Sequence, residues 1–397
     1  MDFLRNYKQS PKRTPENTGP LGRWIVFLSL CGLLGLSLTS CTGKKTNHIL
    51  IGHFASMTGD QATFGQATDR GIRLAIEEIN AAGGIKNRPL ELITMDNRSN
   101  NDETVSVVKR LIDQKNILAL LGEVASGRSI LAAPIAQNKK IPMISPASTN
   151  PKVTQIGDYI FRVCFIDPFQ GTVMAKFAAE NLKMKKVAVL REVSSEYSMG
   201  LADYFIEKFK AQGGEIVADL SYTDKDVDYK AQLTQIRSKK PEGIFIPGYY
   251  TQVGLIARQA RDLGIQATLL GGDGWESPKL SEIGGKAIDG GFFSNHYSNE
   301  SEDPQVKAFI ERYKTKYKEL PEGLAAVAYD AAKMLAFAME KTTDVKPEEI
   351  RDQFSKITNY QGVTGRMTLD KQRNAQKPAV VVKVDGKNNK FVANVEP

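Results

Sequence analysis

The sequence predicts an α/β protein made of two doubly wound lobes, each with a largely parallel sheet. Short apolar strands alternate with helices from His48 to about residue 295, the pattern of a parallel sheet covered on both faces. The alternation starts again after the strand Phe161–Phe165, and 397 residues suffice for two cores. Helices and strands return after Phe293, so we expect three crossings between the lobes, forming a hinge and a cleft.

The first lobe begins with the apolar strand His48–Phe54 and a helix from about Phe64 to Ala82. Ile72 and Ile79 lie on one face of that helix at helical spacing. Gly83-Gly84 ends it, because glycine tolerates the left-handed conformation that follows a helix. The elements expected next are strand Leu90–Asp96, helix Glu103–Gln114, strand Ile117–Leu121, helix 129–138 and strand Ile141–Ser145.

The second lobe repeats this order. Its helix Met199–Gln212 also ends in Gly-Gly, and the last two strands of each half are spaced alike, which is consistent with two similar lobes. The expected elements are helix Phe169–Leu182, strand Lys186–Arg191, helix Met199–Gln212, strand Glu215–Tyr222, helix Tyr229–Ser238, strand Gly243–Pro247, helix Gln252–Leu263 and strand Ala267–Gly271.

The C-terminal part is expected to return to both lobes. Its predicted helices lie near 304–318, 323–341 and 347–357, and a strand pair follows at Val363–Leu369 and Ala379–Val384. Helices that rejoin the first lobe and strands that rejoin the second give a first lobe of 48–165 with about 296–355 and a second of 166–295 with about 356–397.

The N-terminus has the features of an exported lipoprotein. Basic residues precede the uncharged apolar run Trp24–Leu38, and small residues then lead to Cys41. Leu38-Thr39-Ser40-Cys41 resembles the bacterial lipobox, so residues 1–40 are predicted to be a signal peptide, Cys41 the lipidated residue and 41–47 a tether. The alternative is a transmembrane anchor over Trp24–Gly43, but the last third of that segment is small or polar.

Composition and motifs argue against several function classes. The formal net charge of +8 is modest for this length, and no basic run is interleaved with aromatics, so no nucleic-acid partner is expected. The three histidines lack metal-ligand spacing, and neither a nucleophile elbow nor a phosphate-binding loop is present. We therefore expect neither catalysis nor a metal or cofactor. With Cys41 lipidated, only Cys164 remains after cleavage, which excludes an internal disulfide.

Two small polar loops predict an anion site in the first lobe. Val124-Ala125-Ser126-Gly127 follows one buried strand and opens a helix, and Pro146-Ala147-Ser148-Thr149 follows the next strand. Both loops lie at the carboxyl ends of parallel strands, where open α/β sheets bind ligands. Hydroxyls, backbone N–H groups and a helix N-terminus suit a small anion such as a carboxylate. As single features, both loops are also ordinary strand-to-helix turns.

Loops of the second lobe predict a site for a cation. Glu196-Tyr197, Tyr249-Tyr250 and Gly271-Gly272-Asp273-Gly274-Trp275 each follow a predicted strand. A carboxylate between glycines, with aromatic hydroxyls nearby, can give an ammonium group charge-assisted hydrogen bonds and an aromatic wall. Asp273 alone would equally suit a turn. Together the two lobes would bind a zwitterion that bridges the cleft.

The residues from about 48 to 385 resemble the leucine/isoleucine/valine-binding protein family, the type I periplasmic solute-binding proteins of ATP-driven amino-acid importers. The resemblance rests on Ala75–Ile85 (AIEEINAAGGI), Ile144–Thr149 (ISPAST), Ile256–Arg261 (IARQAR) after Tyr249, and Gly271–Trp275 (GGDGW). It implies no enzymatic activity, a monomer, and an ABC permease as partner.

The resemblance also implies the ligand contacts. The ligand carboxylate falls on Ser126, Ala147 and Thr149; the ammonium on Tyr197, Tyr249 and Asp273; and the side chain on Phe64, Val124 and Trp275. Branched-chain binders often have Glu where this chain has the shorter Asp273. Arg128, if it faces the cleft, would indicate a ligand with a second acidic group. Some relatives carry a disulfide whose matching positions here are Ser99 and Ala125, so this chain lacks it.

The resemblance leaves several functions open. The first expectation is a lipid-anchored extracytoplasmic protein that captures a small amino acid, of the branched-chain type first, and delivers it to an ABC permease. The alternatives are an amide- or urea-binding member of the family, a ligand-sensing lipoprotein coupled to a receptor, and an exported hydrolase.

Overall fold

Two sheets, one of five strands and one of seven, carry the fold. The computed structural model describes residues 48–386 and 388–396. The predicted signal peptide 1–40, the lipidation residue Cys41 and the tether 41–47 lie outside the described residues. Within these, no helix combines the length and apolar composition that crossing a membrane requires.

The five-stranded sheet is parallel throughout and has the order β2-β1-β3-β4-β5. Apolar side chains alternate between its two faces: Ile49 and Ile51 of β1 face one core, and Phe54 faces the other. Both faces are therefore buried, as expected of a parallel sheet. Its strands are β1 (Ile49–Ala55), β2 (Leu90–Asp96), β3 (Ala119–Leu121), β4 (Met143–Ser145) and β5 (Ile160–Arg162).

Helices cover both faces of this sheet. On one face α1 packs against α11, and their backbones approach so closely that a Cβ on Gly71 would lie 2.1 Å from the carbonyl oxygen of Ala325. On the other face α2 packs against α3. These helices are α1 (Ala62–Ala81), α2 (Asn101–Lys115), α3 (Ser126–Asn138), α4 (Lys152–Gln155), α10 (Pro304–Tyr317), α11 (Gly323–Glu340) and α12 (Pro347–Phe354).

The seven-stranded sheet has the order β15-β14-β10-β9-β8-β6-β7. Its five strands from β10 to β7 are parallel, and β14 and β15 extend it as antiparallel neighbours. The strands are β6 (Lys186–Glu192), β7 (Glu215–Tyr222), β8 (Gly243–Phe245), β9 (Thr268–Gly271), β10 (Phe292–Asn295), β14 (Ala379–Asp385) and β15 (Asn388–Val395). Its helices are α5 (Asp167–Lys176), α6 (Glu196–Ala211), α7 (Lys230–Ser238), α8 (Tyr250–Asp262) and α9 (Pro278–Gly284).

The chain crosses between the sheets three times: after β5, after β10 and between β13 and β14. The prediction of two doubly wound lobes joined by a three-crossing hinge is confirmed. A small third sheet of β11 (Tyr360–Gly362), β12 (Gly365–Leu369) and β13 (Ala375–Gln376) lies before the last crossing. Arg373, in the turn before β13, donates to the carbonyl of Ile160, which ties this sheet to the first lobe.

One expected strand pairing is wrong. The segments Val363–Leu369 and Ala379–Val384 were expected to pair with each other, but β12 pairs with β11 and β13, whereas β14 pairs with β10 and β15. Pro378 interrupts the chain directly before Ala379, and a proline cannot donate to a sheet. The two segments therefore belong to different sheets on either side of the last crossing.

Candidate functional site

The first wall of the cleft is the N-terminus of α3. This helix begins at Ser126, earlier than the expected 129, so Ser126 occupies its first turn. The Ser126 side chain is buried, and its Oγ accepts the N–H of Asn150 at 3.2 Å. No side chain caps the helix, so its first N–H groups and its positive end remain available to an anion.

Glu123 fixes the loop that leads into α3. Its carboxylate accepts hydrogen bonds from the Ser56 hydroxyl (2.6 Å), the Asn97 amide (3.1 Å) and the N–H of Ala125 (2.7 Å). Burial opposes the ionisation of Glu123 most strongly, but Arg128 and these donors together bring its pKa below the ordinary value. The loop is therefore held by a buried carboxylate that stays ionised.

Hydrogen bonds with two neighbouring segments fix the loop that follows β4 in the first lobe. The hydroxyl of Ser148 donates to the carbonyl of Glu123 at 2.8 Å, and the carbonyls of Ser148 and Asn150 accept from the guanidinium of Arg162. The N–H groups of Ala147 and Thr149 find no acceptor among the described residues. This loop can therefore offer two backbone donors beside the α3 N-terminus.

Asp273 forms the centre of the opposite wall, in a short 3-10 turn directly after β9. One of its carboxylate oxygens accepts the Tyr197 hydroxyl at 2.9 Å, and the other lies 3.0 Å from Nε2 of His296. The N–H of Asp273 donates to Gln170 at 2.8 Å. A Cβ on Gly272 would lie 2.5 Å from the Tyr197 hydroxyl, so the neighbouring glycine is needed for this close approach.

Aromatic rings line the same wall. Tyr197 and Tyr249 stack with ring centroids 5.2 Å apart, and Phe64 of the first lobe meets Tyr249 edge-on at 5.8 Å. Burial raises the pKa of both tyrosines above the ordinary value, so their hydroxyls stay protonated. The wall thus combines one carboxylate with two neutral phenols, a combination suited to an ammonium group.

A small cavity lies between the walls. Val124 and Ala147 line it from the first lobe, and Tyr197, Tyr249 and Asp273 line it from the second, together with Gly274. Its volume is about 10 Å³, which is roughly what one water molecule needs. Ser126 and Thr149 are buried in the loops that carry Val124 and Ala147.

The lobes meet around this cavity through polar contacts as well as through the contact of Phe64 with Tyr249. Thr63 and Ser277 share a hydrogen bond of 2.9 Å between their hydroxyls, and the Asn150 amide donates to the carbonyl of Glu196 at 2.7 Å. Lys152 forms an exposed ion pair with Glu196 at 2.8 Å. Exposed pairs of this kind contribute little, because water and salt screen the two charges. Such contacts can be exchanged in a hinge motion at little cost.

Comparison with known proteins identifies the architecture. Residues 48–390 match the family described as periplasmic binding protein. The chain belongs to the type I periplasmic binding proteins. It is 31% identical to an amino acid binding protein of Pseudomonas aeruginosa over 346 residues, 86% of this chain and 92% of the relative. A second protein of that organism, named leucine-, isoleucine-, valine-, threonine- and alanine-binding protein, is 27% identical over 90% of this chain and 93% of its own length.

Solved structures agree. A leucine binding protein from Thermotoga maritima is 40% identical and superposes with a TM-score of 0.85, covering 88% of this chain and 99% of its own. A branched-chain amino acid transporter substrate binding protein from Streptococcus pneumoniae, solved with isoleucine, is 34% identical with a TM-score of 0.82, covering 87% and 99%. The family match and these structures together show that this chain is a periplasmic binding protein with the two-lobed α/β fold of that family.

Trp275 does not lie where the resemblance implied. Its indole is fully buried in the core of the second lobe, donates to the carbonyl of Ile246 at 2.9 Å and packs against Phe293. It does not line the cavity between the lobes. The 3-10 turn that brings Asp273 to the cleft directs the side chain two residues later into the core.

Sequence reasoning missed two residues that shape the second wall. His296 follows β10, next to β9 in the sheet, so its position at a strand end beside Asp273 was the available signal. Its ring stacks on Phe165 with centroids 4.0 Å apart. Burial lowers the pKa of His296 below 6.5, although its hydrogen bond to the carboxylate of Asp273 opposes this shift. His296 is thus a neutral partner of Asp273 at neutral pH.

Asp167 is the second missed residue. It begins α5 just after the first crossing and is fully buried; its N–H donates to the carbonyl of Thr149 at 3.0 Å, and its carboxyl accepts from Gln170 at 3.4 Å. Burial raises the pKa of Asp167 to about 8, and the charge of Asp273 adds to the effect. A protonated acid therefore lies between the loop of the first lobe and Asp273. Only the tertiary arrangement of the first crossing reveals it.

Proposed function

We propose that this protein is a lipid-anchored, extracytoplasmic solute-binding protein that captures a small amino acid and delivers it to an ABC permease. Branched-chain amino acids are the first candidate ligands, because relatives of this chain carry leucine, isoleucine and valine in their names. The protein would act as a monomer and without turnover, cofactor or metal.

The observation that carries the proposal is the opposition of the two cavity walls. Ser126 and the backbone donors of Ala147 and Thr149 suit an α-carboxylate, and Asp273 with Tyr197 suits an α-ammonium. An amino acid between them would contact both lobes at once. Its binding would therefore stabilise the closed arrangement relative to an open one.

The size of the cavity supports capture by hinge motion. Room for about one water cannot hold an amino acid, so the walls have to separate for the ligand to enter and would then close around it less tightly than they do here. Val124 and Phe64 would then cover its side chain. Binding should thus be accompanied by a change in the angle between the lobes.

A thermal-shift screen of the amino acids, amides and urea tests the ligand class. A ligand at about 100 times its dissociation constant stabilises the folded protein by about 2.7 kcal/mol. Stabilisation by amides or urea alone would contradict the amino-acid proposal. Recovery of the ligand unchanged after long incubation is the matching test for binding without turnover, and a converted product would indicate an enzyme instead.

The membrane anchor is tested separately at Cys41, which lies outside the described residues. Cys41→Ser should give an unlipidated protein that no longer stays attached to membranes, because the thiol that carries the lipid is gone. Fractionation of cells with the unchanged and the variant chain measures this. A variant that remains wholly membrane-bound would favour the alternative that residues 24–43 form a transmembrane anchor.

Delivery to a permease is tested by co-expression of this protein with a permease and its ATPase. The proposal predicts that the ligand-bound protein stimulates ATP hydrolysis by that transporter.

A further inference from the structure

A second, polar cavity adjoins the ligand cavity. Tyr249 lines both, and Ala125, the neighbour of Val124, lines the second. We call it the side cavity; its walls include Arg128 from the first lobe and Glu192 and Asp224 from the second. Its volume is about 240 Å³. It is thus much larger than the cavity between Asp273 and Ala147, and it lies between the same two lobes.

The positive charge of Arg128 is already compensated inside the first lobe. Its Nε lies 3.1 Å from the carboxylate of Glu123, and both side chains are almost fully buried. Its terminal nitrogens donate to the side-chain oxygen of Gln61 and, at 3.4 Å, to the carbonyl of Ser99. The charge of Arg128 is thus paired inside the first lobe, although its Nε–H group lacks an acceptor in hydrogen-bond geometry among the residues that the structure describes. This pairing weakens the case for a second acidic group on the ligand.

Of the four carboxylates that line the side cavity, only Glu196 forms an ion pair in the described part of the chain, with Lys152. Among the described residues, no lysine, arginine or histidine forms an ion pair with Glu192, Asp224 or Asp60. Glu192 is only 5% exposed, and its one hydrogen bond from a side chain is a 3.1 Å contact from Ser194. Burial, aided by the charge of Asp224, raises the pKa of Glu192 to about 7, although the hydrogen bond from Ser194 and the charge of Arg128 oppose this shift. A buried carboxylate in this position gains stability from an added cation.

We propose that the side cavity binds a positively charged group at the end of the ligand side chain, so that the protein prefers amino acids with a basic side chain. The aliphatic stem would pass Val124 and Tyr249, and the terminal cation would meet Glu192. This proposal rests on the proposed function, since the same ligand keeps its α-carboxylate and α-ammonium in the cavity beside Asp273.

Lysine and norleucine form the matched pair of ligands for the test, because lysine is norleucine with a terminal ammonium group added. Calorimetric titration of the full-length protein in detergent should show lysine binding about tenfold or more tightly than norleucine, the order expected of one charge-assisted hydrogen bond. The acidic analogue 2-aminoadipate should bind more weakly than both. Norleucine binding as tightly as lysine, or tighter, would overturn the proposal.

Glu192→Gln locates the effect. It should bring the lysine-to-norleucine ratio close to one and leave norleucine affinity nearly unchanged, whereas the control Glu207→Gln, on the exposed side of α6, should keep the preference. A preference for lysine that survives Glu192→Gln would also overturn the proposal. If norleucine binds and loses affinity in Asp273→Asn while lysine shows no advantage, the proposed function stands and only this inference fails. If no amino acid binds, both fail.

Discussion

The two walls of the cavity between the lobes present charges and dipoles of different kinds. The wall of the first lobe has no formally charged side chain at the cavity: it offers the N-terminus of α3 at Ser126 and backbone donors near Thr149. The wall of the second lobe presents the carboxylate of Asp273, held by Tyr197 and His296. Under the proposed function, the anionic group of the ligand would thus contact several neutral dipoles, whereas its cationic group would contact a single charge.

This difference has an energetic consequence. Several weak donors share the stabilisation of a carboxylate, so the loss of one leaves the others in place. A single carboxylate has no substitute, and its removal leaves a buried ammonium without a counter-charge. Loss of the Asp273 charge should therefore weaken binding more than loss of any one donor of the first wall, and four measurements test this contrast.

The largest effect is expected from Asp273→Asn. It should weaken amino-acid binding by about 2–5 kcal/mol, because a desolvated ammonium loses its charged partner. Calorimetric titration with the best amino acid and its deaminated analogue measures the loss, and the gap between the two ligands should narrow. Asp262→Asn, on the exposed side of α8, is the matched control. Unchanged affinities in Asp273→Asn would show that Asp273 is only a turn residue and that no zwitterion bridges the lobes.

Ser126→Ala should cost less, on the order of 1–3 kcal/mol of binding free energy, since backbone N–H groups still hold the carboxylate. The decarboxylated analogue should lose little or nothing. Ser106→Ala, an exposed serine on α2, controls for the loss of a hydroxyl elsewhere in the same lobe. A loss as large as that of Asp273→Asn would remove the contrast between the walls.

The third effect depends on pH. His296 faces the charged groups of Asp273 and Lys377, and burial keeps its pKa below 6.5. As the pH falls from 6.5 through this lowered value, His296 gains a proton that neutralises Asp273 and competes with the ligand ammonium. The affinity for the ligand is therefore highest above pH 6.5 and falls as the pH drops below that value. The loss of binding free energy amounts to about 1.4 kcal/mol for each pH unit by which the bound ligand lowers the pKa of His296.

Titrations between about pH 5 and about pH 8 check the dependence. His296→Gln can still donate a hydrogen bond to Asp273 but does not titrate in this range, so its affinity should vary less with pH. An equally steep pH dependence in His296→Gln would assign the effect to another group.

The smallest effect is expected from Tyr197→Phe, about 0.5–1.5 kcal/mol of binding free energy. The hydroxyl donates to Asp273 and accepts the N–H of Gly274 at 3.1 Å, so its loss relaxes the carboxylate without removing its charge. Tyr204→Phe on the same helix is the control. If Tyr197→Phe weakened binding as much as Asp273→Asn does, Tyr197 would have to be a principal hydrogen-bond donor to the ligand.

The sequence by itself determined the lobes and the loops of the site. The alternation of apolar strands and amphipathic helices requires a sheet covered on both faces, and ligand loops then follow the carboxyl ends of its strands. Val124, Ala147, Tyr197, Tyr249 and Asp273 could be predicted in this way, and the structure brings all five to one cavity.

The tertiary structure alone decided which side chains of those loops face the ligand. Trp275 packs in the core, although it is two residues from Asp273, because successive side chains of a 3-10 helix point in different directions. His296, more than twenty residues further on, reaches the same carboxylate because β10 lies beside β9. Folding likewise brings the carboxylate of Glu123 within 3.1 Å of Nε of Arg128, so that the two charges form an ion pair. Local sequence encodes the strand and the loop, whereas side-chain direction and charge pairing depend on neighbours that only folding brings together.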